Sequence, residues 1–170
     1  MNNNIYVAKL ISVIPLVLLL CFSFIKLKKD FGWLISGIFG FCIVAMPKMM
    51  FFGLQIRMYS WAMFFLTLSF YYCYKITKKS TKKNWIIFTI FSSLAIYTHY
   101  YGIIAVCILY SILLVHLILK NKVLIKNWIL STTFISLSYI PWIIIFLNKS
   151  FYINMLIELL CGLFPTLGGV

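Results

Sequence analysis

The chain has 170 residues, of which 64% are hydrophobic and 10% charged, and its mean hydropathy is +1.07. A soluble domain needs roughly a quarter of its residues charged to cover its surface, so this composition excludes one and indicates a chain embedded in lipid. The 15 lysines and arginines, against 2 acidic residues, lie in short clusters between apolar runs. Such clusters are typical of topology determinants, and we do not expect nucleic acid as a partner.

Apolar runs bounded by charges predict an all-α, polytopic transmembrane helical bundle of about six to seven spans, forming one membrane domain over residues 1–170. The 35 residues from Trp85 to Leu119 carry no formal charge. As one helix they would be about 52 Å long, well beyond a bilayer, so we expect a turn at Thr98–Gly102. The predicted spans are 8–25, 31–47, 56–74, 85–97, 100–119 and 128–147, with a tail at 151–167.

The cations alternate between the loops that join these spans. Eleven of the 15 lysines and arginines follow the first, third and fifth spans, and the other four lie in the opposite set of loops. The positive-inside rule then places the N-terminus outside, with the turns at 48–59 and 98–102 on the outer face. The eleven are Lys26, Lys28, Lys29, Lys75, Lys78, Lys79, Lys82, Lys83, Lys120, Lys122 and Lys126.

Arg57 lies inside the long apolar run from Met49 to Tyr74. A guanidinium in the hydrocarbon region costs roughly 2.5–3.5 kcal/mol on insertion scales, so such a residue usually serves a site or reaches the interface. One interpretation is a site for an anionic ligand, because the planar guanidinium can bind phosphate bidentately. The other is an interfacial arginine that opens the third span and touches lipid headgroups.

The second outer turn, Tyr97-Thr98-His99-Tyr100-Tyr101-Gly102, combines an imidazole with three phenols. It predicts either a ligand or metal site or an aromatic belt at the membrane surface. The two acidic residues are Asp30, read as a helix N-terminal residue beside the first lysine cluster, and Glu158, a candidate functional residue in the apolar tail. The sequence contains no paired carboxylates, serine triad or phosphate-binding glycine loop.

Four segments together resemble the multi-pass GT-C glycosyltransferases. The closest subgroup is the bacterial membrane transferases related to dolichyl-phosphate-mannose-protein mannosyltransferases and to lipid-A sugar transferases, in which E-x-R-M-Y-S and Y-T-H-Y segments recur. The resemblance covers about residues 31–147. Its segments here are Met46-Pro47-Lys48-Met49-Met50, Gln55-Ile56-Arg57-Met58-Tyr59-Ser60-Trp61-Ala62-Met63-Phe64-Phe65, Tyr97-Thr98-His99-Tyr100-Tyr101 and Tyr139-Ile140-Pro141-Trp142.

The resemblance implies a multi-pass protein of the bacterial plasma membrane that takes a sugar from a polyprenyl-phosphate donor. The acceptor would be an envelope glycan, lipid or protein on the outer face. Arg57 would bind the donor phosphate and stabilise it as the leaving group. Tyr59, His99, Tyr100 and Tyr101 would line the donor pocket, and His99 is also the candidate ligand if a divalent metal is used.

Two departures from the family pattern bear on activity. Gln55 stands where the family usually has glutamate, which keeps hydrogen bonding but removes a carboxylate. The family's catalytic acidic residue lies on the outer loop after a first span, and we find no such span or loop here. We therefore expect a partial transferase that lacks this loop and a C-terminal region: an incomplete product, an inactive remnant, or a subunit partnered by the missing part of a split enzyme.

The alternative from another class is a small polytopic membrane protein without chemistry, such as a flippase or transporter subunit or an assembly partner. That alternative requires Arg57 and His99 to be dispensable, whereas the transferase hypothesis requires at least Arg57.

Overall fold

The computed structural model describes residues 3–45, 58–142 and 144, and every regular element among them is helical. Helix formation follows from the apolar runs, because in lipid a helix satisfies its own backbone hydrogen bonds. In chain order the helices are α1 (Asn3–Phe22), a π-helical segment (Ser23–Leu27), α2 (Lys28–Phe31), α3 (Trp33–Ala45), α4 (Tyr59–Lys78), α5 (Lys82–Thr98), α6 (Tyr100–Lys120), a 3-10 turn (Lys122–Leu124) and α7 (125–142).

Helix α1, the π-helical segment and α2 form one continuous helical run that ends at Gly32. The residues between them keep right-handed helical angles, and the run stops where Gly32 adopts a φ of +88°. Glycine tolerates this angle because it has no Cβ. Asp30 therefore lies near the C-terminal end of a long helix, and its interpretation as a helix N-terminal residue was wrong. The lysine cluster does not interrupt the helix, since Gly32 sets its end.

Helix α3 folds back against the preceding run through a reciprocal pair of serines. The Ser23 hydroxyl donates to the Ser36 carbonyl and the Ser36 hydroxyl donates to the Ser23 carbonyl, each at 2.7 Å. Both side chains are fully buried. Small hydroxyl residues allow close helix contact in an apolar environment and satisfy their own polar groups there, which explains serines in otherwise apolar helices.

Helices α4, α5 and α6 form the centre of the first compact unit, residues 1–132. Phe88, Ile76 and Leu113 are almost completely buried there. The Ser92 hydroxyl donates to the Ser69 hydroxyl at 3.3 Å across the α4–α5 contact. Four of the buried residues of α4 are small: Ser60, Ala62, Ser69 and Cys73.

A second hydroxyl cluster joins α5, α6 and the start of α7. The Ser131 hydroxyl lies 2.6 Å from the Thr89 hydroxyl and 2.6 Å from the Tyr110 hydroxyl, and all three side chains are buried. The Trp128 indole N–H donates to the Tyr110 carbonyl at 3.0 Å. In the second compact unit, residues 133–170, the described part is helical and Tyr139 stacks on Trp142.

Within the described part of the chain, three helices are long and apolar enough to cross a membrane: Leu10–Phe31, Tyr101–Lys120 and Lys122–Trp142. The shorter α3, of 13 residues, is also apolar. The prediction of an all-α protein is thus confirmed, whereas six to seven spans remain a prediction. The tail at 151–167, including Glu158, lies outside the described residues.

Candidate functional site

The described helices bring chemistry-bearing side chains together at two opposite ends of the first unit. Helix α4 runs from Tyr59 to Lys78, and α5 returns from Lys82 to Thr98. These helices of 20 and 17 residues are about 30 Å and 25 Å long, close to the thickness of a hydrocarbon core. The α4–α5 turn and the α5–α6 turn therefore lie at opposite ends.

One end, which we call the aromatic end, contains Tyr59, His99 and Tyr101. The rings of Tyr59 and His99 are 5.0 Å apart between centroids, and the His99 and Tyr101 rings stack at 5.3 Å with an angle of 11°. Tyr59 begins α4 and the two other residues lie at the α5–α6 turn. The structure thus brings together residues 40 positions apart, from the two turns that the sequence places on one face.

Local structure explains why His99 stands where it does. Its extended backbone ends α5, and its Nδ1 atom accepts a hydrogen bond of 3.2 Å from the Tyr101 backbone N–H at the start of α6. Gly102 makes this tight turn feasible, because a Cβ there would lie 2.3 Å from the Ala95 carbonyl oxygen. The turn predicted at Thr98–Gly102 is confirmed, with His99 as the single residue between the two helices.

The cap has a chemical consequence for His99. A neutral imidazole that accepts through Nδ1 has its proton on Nε2, so the ring is set up to donate a hydrogen bond from that atom. Metal binding through Nδ1 would compete with the cap. Among the described residues, no group of three or more histidine, cysteine or acidic side chains is arranged to hold a metal ion.

A separate series of ring contacts lies along the α4–α5 seam. The rings of Trp61 and Phe65 are tilted to each other with centroids 5.7 Å apart. Phe65 stacks on Phe91 at 6.3 Å between centroids, and Phe91 stacks on Tyr72 at 6.2 Å. The rings are half-buried, so each keeps an exposed edge or face. We call this set, with Phe64, the aromatic row.

Several predicted site residues lie outside the described residues: Gln55, Arg57 and Glu158, together with the side chain of Tyr100. Of the predicted donor pocket, the structure brings Tyr59, His99 and Tyr101 together. Ser60, next to Tyr59, is 1% exposed, and its hydroxyl is among the buried polar atoms without a hydrogen-bond partner in the described part of the chain.

The opposite end, which we call the lysine end, carries two of the predicted cation clusters. Asp30 and Lys75 form an ion pair of 3.3 Å, and the Tyr71 hydroxyl donates to the same Asp30 carboxylate. This contact joins the end of α2 to the end of α4. The lysine end comprises Lys26, Lys28, Lys29, Lys75, Lys78, Lys79, Lys82 and Lys83.

Sequence reasoning missed the contact of Asp30 with Tyr71 and Lys75. The signal present was weak: the two partners are four residues apart on one helix face, and Asp30 lies among cations. Asp30 and Tyr71 are 41 positions apart, so their contact depends on how α2 and α4 pack, which no local pattern specifies.

Comparisons of the chain with protein-family models, with curated proteins and with solved structures found no match. The likeness to GT-C transferases therefore depends on the sequence segments named above. The geometry of the aromatic end is independent of that likeness.

Proposed function

We propose that the chain is a membrane glycosyltransferase of the hexosyltransferase type, or the membrane part of one. It would transfer a sugar from a polyprenyl-phosphate donor to an envelope acceptor on the outer face. The observation that carries the proposal is the contact of Tyr59 with His99 and of His99 with Tyr101 at one end of the helices. Arg57 precedes this cluster by two residues in the sequence.

Each component of the aromatic end suits part of such a donor. Aromatic rings pack against the apolar faces of sugars, and an Nε2–H donor can hydrogen-bond a hydroxyl or a phosphate oxygen. Arg57 would supply the charge that stabilises a phosphate leaving group. The remaining part of the donor, a polyprenyl chain, needs an apolar track that starts at this same end.

The aromatic row supplies such a track. It begins with Trp61, two residues after Tyr59, and continues by ring contact to Tyr72 on the same helix. Unsaturated isoprene units can pack on half-exposed ring faces by dispersion. A headgroup site at the start of α4 and a row of aromatic rings along the same helix favour a lipid-linked donor over a soluble sugar nucleotide.

The proposal is tested by measuring how much donor lipid accumulates in cells. A strain lacking the gene should accumulate polyprenyl-phosphate-linked sugar, measured by lipid mass spectrometry, and the wild-type gene should return it to the normal level. We expect Arg57→Ala to lower the transfer rate by about 100-fold, the effect of removing one charge-stabilising donor. Arg57→Lys should retain only part of the transfer rate, because an ammonium cannot form a bidentate pair with the phosphate.

Two controls separate chemistry from folding and from bulk charge. Lys149→Ala removes a cation from the same predicted side and should leave transfer unchanged. His99→Asn retains a good helix N-cap but loses the ring contacts, so the protein should fold while transfer falls. Membrane levels of each variant are measured by immunoblot. Normal donor levels in the Arg57→Ala strain, with the protein present, would reject the transferase proposal in favour of a non-catalytic membrane protein.

A further inference from the structure

The lysine end presents far more positive charge than its carboxylate neutralises. Seven of its eight lysines are exposed, and the eighth, Lys75, is already paired with Asp30. Asp30 is the single acidic residue within positions 1–157 of the sequence. Charge of this density at the end of apolar helices attracts anionic lipid headgroups.

An apolar groove begins directly beside these charges. It lies on the outer surface of α3, has a volume of about 520 Å³, and is lined by Trp33, Leu34, Gly37, Ile38 and Phe41. Gly37 forms its notch, since nothing lies within 4 Å of the position that a Cβ would take. The groove extends from Trp33 to Phe41, about 12 Å along the helix axis, which matches part of an acyl chain.

Lys28 and Trp33 connect the charged end with the groove. The Lys28 ammonium lies 3.9 Å from the centre of the Trp33 ring, and Phe24 lies edge-on to that indole at 6.3 Å between centroids. Trp33 is nevertheless 64% exposed, and Leu34 is 77% exposed. A cation thus lies at the mouth of an open apolar groove, beside an exposed indole of the kind that is enriched at membrane interfaces.

From this arrangement we propose that the α3 groove binds an anionic glycerophospholipid. Its phosphate would pair with Lys28 and Lys29, and one acyl chain would lie along Trp33, Gly37 and Phe41. The site is separate from the aromatic end and does not depend on sugar transfer. Charge complementarity selects an anionic lipid, because a zwitterionic headgroup would place its own cation among the lysines.

The probe is phosphatidylglycerol with brominated acyl chains, which quenches tryptophan fluorescence on contact. The purified full chain is placed in phosphatidylcholine nanodiscs with increasing fractions of the brominated lipid, and Trp33→Phe identifies the Trp33 contribution. We expect half-maximal quenching of Trp33 at a fraction of brominated phosphatidylglycerol about tenfold lower than for brominated phosphatidylcholine.

Matched variants test whether the lipid binds at the proposed site. Lys28→Gln with Lys29→Gln should abolish most of that tenfold preference, whereas Lys82→Gln with Lys83→Gln removes equal charge from the same end and should change it less than twofold. Gly37→Leu fills the notch and should weaken quenching, unlike Ser111→Leu on the exposed surface of α6. Circular dichroism checks helicity in each. Equal losses for both lysine pairs, or no effect of Gly37→Leu, would overturn the proposal.

Discussion

The two ends of the helical unit differ in how their residues are held. At the aromatic end, His99 is fixed by the backbone: it caps α6, and Gly102 brings that helix against the Ala95 carbonyl. At the lysine end, the contacts of the Asp30 carboxylate are with side chains, those of Tyr71 and Lys75. A site that positions a reacting group needs the first kind of support, whereas a headgroup surface tolerates the second.

Polar residues have two different roles in this apolar chain. Hydroxyls such as Ser23, Ser36 and Ser131 are buried and join helices in pairs. The lysines remain exposed at one end, where their charge would be hydrated or paired with lipid phosphate. Polar residues inside the bundle therefore stabilise it, while those at its ends are available for ligands.

The strongest expected effect concerns which side of the membrane each end faces. In a chain with its native cysteines replaced, Tyr97→Cys should react with a membrane-impermeant maleimide in intact spheroplasts. Lys83→Cys should react only after permeabilisation, because the lysine clusters are predicted to face the cytoplasm. Labelling of both positions from the same side would show that α5 does not cross the bilayer and would remove the contrast between the ends.

The next effect tests the backbone support of the aromatic end. Gly102→Ala would place a Cβ 2.3 Å from a backbone oxygen, so the α5–α6 turn has to shift. We expect a loss of about 2 kcal/mol in unfolding free energy, typical of overpacking, measured by denaturation in detergent micelles. Gly37→Ala is the matched control: its added methyl meets nothing within 4 Å, so stability should stay constant or rise by about 0.5–1 kcal/mol. Equal unfolding free energies for Gly102→Ala and Gly37→Ala would contradict the close approach of Gly102 to the Ala95 carbonyl.

Sequence patterns predicted the helical class and the turn at Thr98–Gly102 because both follow from local rules. An uncharged stretch of 35 residues would form a helix longer than the bilayer is thick, so the chain has to turn within it. The polar segment Thr98–Gly102 marks the position of that turn. The alternation of cations placed Tyr59 and His99 on one predicted face, and the structure shows their rings in contact.

Other features were beyond reach of the sequence because they depend on packing between distant helices. Periodicity cannot show that Ser131 meets both Thr89 and Tyr110. It also cannot show that the first long helix extends past three lysines to Gly32, since the stop depends on the left-handed angle of one glycine. The roles of Arg57 and Gln55 remain predictions, because both residues lie outside the described part of the chain.

The smallest effect belongs to the lysine end, where Asp30 contacts the side chains of Tyr71 and Lys75. Tyr71 is 4% exposed and donates to the Asp30 carboxylate, while its ring packs edge-on against Phe22 at 4.9 Å. Tyr71→Phe keeps the ring and removes one hydrogen bond to a carboxylate that is partly exposed to solvent. Because solvent weakens such a bond, we expect a loss of about 1 kcal/mol in unfolding free energy, at the level of an ordinary hydrogen bond. Lys75→Met should cost less, since an exposed ion pair contributes about 0–1 kcal/mol.

The control for this last prediction is Tyr72→Phe, which removes a hydroxyl from the neighbouring half-buried ring. Its stability in detergent should match that of the unaltered chain. High salt should reduce the loss of unfolding free energy caused by Lys75→Met more than the loss caused by Tyr71→Phe. The reason is that salt screens the partly exposed ion pair more strongly than the hydrogen bond. Equal losses from Tyr71→Phe and Tyr72→Phe would mean that the bond to Asp30 does not stabilise the lysine end, and the proposed contrast between the supports of the two ends would be lost.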